Sequence, residues 1–138
     1  MVTKHHDHSE HELSANEARV LEALRASKEP MSAYAILDRV RPSGISHPPT
    51  VYRALAGLES LGMVHRLKSL SAFVACGHGR CGGRFAFAFC RECQRVEEIE
   101  LDEDHYEALL KLAPKDIHVE QATLELAGIC SACRQAAS

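Results

Sequence analysis

The chain is predicted to be α+β, with a three-helix unit closed by a β-hairpin and then a small α/β unit held by a structural zinc. Three observations predict this. Apolar residues recur at helical spacing through the first part of the chain and change to period-two alternation further on. A glycine-rich run, Gly77-His78-Gly79-Arg80-Cys81-Gly82-Gly83, separates the two regimes. Two Cys-x-x-Cys pairs, Cys90/Cys93 and Cys130/Cys133, lie in the second part with 36 residues between them. Each pair puts two thiolates on one tight turn, and two such turns make the tetrahedral cage that structural zinc prefers.

The elements follow in order. Residues 1–12, with His5, His6, His8 and His11, read as a disordered histidine-rich tail. Ser14 and Glu17, three apart, form a capping box that opens a helix with an apolar stripe of Val20, Leu21 and Leu24 running to about Ala26. Pro30 breaks the chain, and Ser32 caps a short second helix expected to bury Ala35, Ile36 and Val40. A third helix starts at Pro48-Pro49, since proline suits the first helical turn. Its stripe is Val51, Leu55, Leu58 and Leu61, and Gly62 is a left-handed cap. Residues 63–67 and 72–76 are β-prone runs around Lys68-Ser69-Leu70-Ser71, a hairpin signal. Three helices and a hairpin in this order make a winged helix-turn-helix, placed at 13–76, with 77–84 as a hinge. The rest, 85–138, is expected to hold a strand in which Phe85, Phe87 and Phe89 alternate with alanine, then a strand at 96–101. An amphipathic helix at 102–113 with an acidic first turn and a strand at 118–126 complete it.

Composition narrows the function. No apolar h-region opens the 138-residue chain, and no apolar run approaches the ~20 residues that span a bilayer, so a cytoplasmic protein without a membrane partner is expected. In that compartment clustered cysteines bind metal or do redox work, and a thioredoxin-like dithiol needs one Cys-x-x-Cys, not two. The net charge is −3, yet 38–68 carries five basic residues against two acidic ones, and 97–107 carries seven acidic residues and no Lys or Arg. That asymmetry suits a DNA-contacting module joined to a metal-binding one. Paired catalytic carboxylates, a nucleophile motif and a phosphate-cradling loop are not found, so neither catalysis nor a small-molecule substrate is expected.

The run Pro48-Pro49-Thr50-Val51-Tyr52-Arg53-Ala54-Leu55, followed by Leu58 and Gly62-Met63-Val64-His65, resembles the ferric uptake regulator superfamily. The resemblance extends from about Leu13 to Cys133, includes both Cys-x-x-Cys pairs, and is nearest to the zinc uptake branch. It implies a homodimer that represses transcription from double-stranded operator DNA. The helix bearing Thr50, Tyr52 and Arg53 would enter the major groove, with Tyr52 on bases or thymine methyls and Arg53 on a guanine edge or phosphate. Helix periodicity agrees, because Tyr52 and Arg53 fall outside the apolar stripe, and arginine can grip guanine bidentately.

The resemblance also implies two zinc ions per chain. One is structural, at Cys90, Cys93, Cys130 and Cys133. The other is regulatory, held in the zinc branch by a His, a Cys, a further His and a Glu, which match His65, Cys76 and Glu98 in type and order. The chain departs from that pattern at Gly83, where the further His is missing. Cys81 is the preferred fourth ligand and His78 its substitute. A third metal site found in part of the family matches only loosely, at His118 with Asp102, Glu103 or His105. A cysteine ligand, and the lack of a His-His cluster before Cys90, favour zinc over iron, manganese or peroxide sensing. A zinc-ribbon interaction module without DNA binding would explain the cysteines but not the capped three-helix stretch.

Overall fold

The computed structural model describes residues 12–27, 29–77, 84–120 and 122–137. Helix α1 spans Ala15–Ala26. Its N-cap is the expected capping box: Ser14 Oγ accepts from the Glu17 amide at 3.0 Å, while Glu17 Oε1 accepts from the Ser14 amide at 3.0 Å. Helix α2 spans Ala33–Val40 with Ser32 as its cap. It buries Ala33, Ile36, Leu37 and Val40, whereas Ala35, expected inside, is exposed. Both Ala35 and Leu37 adjoin Ile36, and the larger side chain gains more by burial. A 3-10 turn at Arg41–Ser43 leads on to α3, Pro48–Ser60. At its end the amides of Gly62 and Met63 bond to the carbonyls of Glu59 and Leu58, with Gly62 at φ 75°. That is a Schellman cap, and it turns the chain into the wing.

The wing pairs β1 (Val64–Leu67) with antiparallel β2 (Ala72–Ala75), joined by a 3-10 turn at Lys68–Leu70 and by Ser71 at φ 51°. Met31 bridges to Phe73 with both backbone bonds made, at 3.0 and 2.8 Å, a third partial strand that the hairpin signal did not contain. One core unites α1, α2, α3, Ile45, Val64 and Phe73, with Val20, Ile36, Val51 and Leu58 fully excluded from water. The Glu17 carboxylate also lies over Gly57 of α3, where any Cβ would collide with it.

The remaining sheet has the order β4-β3-β5. Strand β3 (Phe85–Cys90) runs antiparallel to β4 (Val96–Glu100) and parallel to β5 (Leu124–Gly128). Helix α4 (Glu103–Leu110) follows β4, capped by Asp102, and α5 (Ser131–Ala137) follows β5. One expectation needs correction. Strand β5 begins at Leu124, six residues after the expected start at His118, because its ladder is set by Ala86–Cys90 of β3 and ends where β3 ends. Strand β3 stands where the alternation put it, with Phe85, Phe87 and Phe89 buried on one face and Ala86 on the other. A small second core of Leu67, Cys76, Phe85 and Phe87, with Leu70, Val74 and Val96 against it, joins wing to sheet. Among the described residues, no helix is long and apolar enough to cross a membrane.

Candidate metal centres and recognition helix

Strand pairing brings the four cysteines together. Cys90 ends β3 opposite Gly128 of β5, so the turn after β5 delivers Cys130 beside it and α5 carries Cys133. The turn after β3 is closed by the Gln94 amide on the Cys90 carbonyl at 2.9 Å and places Gln94 at φ 64°. Left-handed backbone costs a non-glycine residue about 1–2 kcal/mol, and here it turns the chain after Cys93 into β4. All four sulfurs lie within 4.8 Å of one another, with Cys93 Sγ to Cys130 Sγ at 3.9 Å. Thiolates about 2.3 Å from a tetrahedral zinc sit about 3.8 Å apart, so this donor set fits zinc.

The local electrostatics favour thiolates at one end of the cage. The Cys130 and Cys93 amides lower the Cys90 thiol to about 6, and the Glu92 amide adds to the effect. The Cys130 and Glu92 amides donate to Cys90 Sγ at 3.3 and 3.4 Å. Cys133 is pushed up to about 12, chiefly by Cys130 and Cys90. Four thiols this close cannot all ionise on their own; a divalent cation removes that obstacle.

A second cluster lies at the seam between wing and sheet. His65 of β1, Cys76 just past β2 and Glu98 of β4 bring one ligand atom each within 4.8 Å of the others. His65 Nε2 is 3.8 Å from Glu98 Oε2, and both side chains are about seven-eighths buried, at 15% and 13% exposure. The His65 ring packs on Phe87 at 4.7 Å and Phe85 at 6.0 Å. Glu98 Oε2 also accepts from the Gly77 amide at 3.0 Å, and a Cβ at Gly77 would crowd that carboxylate. A neutral imidazole, a thiolate and a carboxylate suit zinc. Cys76 is disulfide-bonded in this structure, so its sulfur is a ligand only once reduced. His78 and Cys81, the candidates for a fourth ligand, lie outside the described residues.

His105 and His118 belong to neither cluster, and no third one occurs among the described residues. His105 instead bonds Asp102 through ring and amide, at 2.7 and 2.9 Å, which lowers the Asp102 carboxyl and caps α4. On α3, Val51, Ala54, Leu55 and Leu58 face the core. Tyr52 is 49% exposed and Arg53 is exposed, so both point away from the core, while Thr50 is half-buried.

Sequence reasoning missed Glu125. Its two carboxylate oxygens accept from the backbone amides of Lys68 and Ser69 in the wing turn, at 2.8 and 3.0 Å. In the sequence it stands only as one acid within the apolar run Leu124–Gly128, and nothing local gives it a partner.

No protein-family model matches the chain. The chain is similar to the zinc uptake regulation proteins of Escherichia coli (strain K12) and Shigella flexneri. It is 32% identical to each over 124 residues, 88% of this chain and 72% of theirs. Its fold is similar to that of holo XcZur, with a TM-score of 0.77 at 36% identity over 89% of this chain and 86% of the other. It is also similar to that of a zinc uptake regulator complexed with zinc and DNA, with a TM-score of 0.79 at 28% identity over 91% of this chain and 85% of the other. Those likenesses join the capped helical unit, the wing and the two ligand clusters in one conclusion: the chain belongs to the ferric uptake regulator superfamily, in its zinc uptake branch.

Proposed function

We propose that the chain is a zinc-responsive transcriptional repressor that binds operator DNA as a homodimer and controls zinc-uptake genes in the cytoplasm. The observation that carries this reading is the ligand cluster at the seam. Its donors come from both sides, His65 and Cys76 from the wing and Glu98 from the sheet. Zinc held there would supply a cross-link between wing and sheet. Because β1 follows α3 through the Schellman cap, fixing the wing fixes the angle of Tyr52 and Arg53, and ligand occupancy is linked to DNA affinity. Residues 13–76 are the DNA-binding domain, 77–84 the hinge and 85–138 the dimerisation domain, behind a tail at 1–12. Each chain takes two zinc ions. Cys90, Cys93, Cys130 and Cys133 hold the structural one. His65, Cys76, Glu98 and Cys81, with His78 as substitute, hold the regulatory one.

The relatives support this reading: two are zinc uptake regulation proteins, and one solved structure holds zinc and DNA. A homodimer is supported by apolar surface that the protomer leaves open. Ile99 and Leu126 are 39% and 47% exposed on the face of the sheet turned from the wing, and Leu112 is 80% exposed. The test is fluorescence anisotropy of a duplex selected by the zinc-loaded protein from a randomised pool, in reducing buffer, with zinc or with chelator. Binding at least tenfold tighter with zinc is expected. Equal binding in both conditions contradicts a zinc response, and no selected duplex contradicts DNA binding.

A further inference from the structure

The sheet meets the wing along one rung. In β3, Phe87 is register partner to Glu98 of β4 and to Glu125 of β5. Register partners project from the same face of a sheet. The rung therefore presents carboxylate, phenyl and carboxylate side by side to the wing. Glu98 reaches His65 and the Gly77 amide, Phe87 packs on the His65 ring, and Glu125 takes the amides of the turn between β1 and β2. The two ends of the rung grip the wing at opposite ends of its hairpin, the turn at Lys68–Leu70 and the open end at His65 and Gly77. The hydrophobic seam of Leu67, Phe85 and Phe87 lies between them.

The two grips differ in kind. The Glu98 end is built of metal ligands. The Glu125 end is built on the Lys68 and Ser69 amides, which its two oxygens take at once, with the Ser69 side chain adding to the hold, a charge-assisted arrangement of short bonds that needs no metal. Burial raises the Glu125 carboxyl, but Ser69 and the Lys68 amide outweigh it and hold the group below the usual carboxylate range, so it is ionised at neutral pH. A wing tied at one end only can pivot about it; tied at both, it cannot.

We propose that Glu125 is a positioning residue for zinc-dependent DNA binding, clamping the wing turn so that closure at the His65 end becomes a fixed setting of the recognition helix. This rests on the zinc-responsive reading above. Glu125 touches neither metal nor DNA, and acts through the Lys68 and Ser69 amides.

The test compares full-length wild type, Glu125→Gln and the surface control Glu107→Gln, in reducing buffer with zinc. Three readouts are taken: zinc per chain, amide hydrogen exchange, and anisotropy on the duplex selected by the wild type. Glu125→Gln is expected to keep its zinc, to speed exchange at Lys68 and Ser69 while leaving α1 and α3 unchanged, and to weaken zinc-dependent DNA binding ~10-fold. Glu107→Gln should match the wild type. Should Glu125→Gln fail to fold, Ser69→Pro removes one of the two donors from the wing side and should give the same pattern. Unchanged exchange at Lys68 and Ser69, or unchanged DNA binding in a folded variant, overturns the proposal. A wild type that binds DNA equally with and without zinc overturns the regulator reading instead, and exchange at Lys68 and Ser69 then still decides whether the clamp exists.

Discussion

The two halves of this molecule reach stability by different routes. In the first, α1, α2, α3 and the wing close around a continuous core, and this half holds the largest fully buried side chains among the described residues, Ile36, Leu55 and Leu58 included. In the second, β3 alone is buried. No residue of β4, α4 or β5 is fully buried: Val96 and Glu98 of β4 pack at the seam, and α4 shields Tyr106, Leu109 and Leu110 only in part. A half with so little apolar burial cannot offset the entropy of its own ordering, which runs to roughly 1–2 kcal/mol per residue. Under the proposed function, zinc at the cysteine cage and a second copy on the open apolar surface would supply the missing stability. The lesson is a division of labour: the helical half folds by packing, while under the proposed function the sheet half draws its stability from metal and from association.

That contrast can be broken most severely at the cage. Cys93→Ser is expected to unfold the sheet half, since structural zinc contributes about 10–16 kcal/mol in small sites. Hydrogen exchange should become fast through β3–β5 and stay slow in α1–α3; slow exchange retained in both halves would contradict it. Leu55→Ala makes the reverse change, costing the helical half ~2–5 kcal/mol by emptying part of its core. Calorimetry should show the loss with zinc content unaltered. Cys76→Ser leaves the helical core and the cage untouched but puts a hydroxyl into the small core at the seam. Cage zinc should be unaffected and stability should fall by about 1 kcal/mol, while the zinc-dependent gain in DNA affinity, on the order of a hundredfold, disappears; a retained zinc response would remove Cys76 from the switch. Arg53→Ala is the mildest change. It should weaken DNA binding by ~1–3 kcal/mol with or without zinc, and leave stability and zinc content as they are.

Legibility in the sequence follows the same division. The capping box, the α3 stripe, the Gly62 cap and the hairpin are local patterns, and each stands where periodicity and turn chemistry put it. The cage was legible because two Cys-x-x-Cys pairs are specific even when 36 residues lie between them. What escaped is non-local. The start of β5 depends on how far β3 extends, so the β-prone residues from His118 onward had no local marker to end them. The Met31–Phe73 bridge joins residues with α2, α3 and the strand β1 between them. The helix α5 was hidden behind the metal signal of Cys130 and Cys133, although Ser-Ala-Cys-Arg-Gln-Ala-Ala is a good helix former. Glu98 and Glu125 share a rung only through the register of three strands, which no single segment encodes.

The central claim is that a permanent zinc holds the sheet half while an exchangeable one ties it to the wing. Elemental analysis of the reduced protein, before and after mild chelation, tests this most directly. The account predicts two zinc ions per chain falling to one, with the second restored when zinc is added back. One zinc that never exchanges, and no second after zinc is returned, would contradict it and leave a DNA-binding fold without a metal switch.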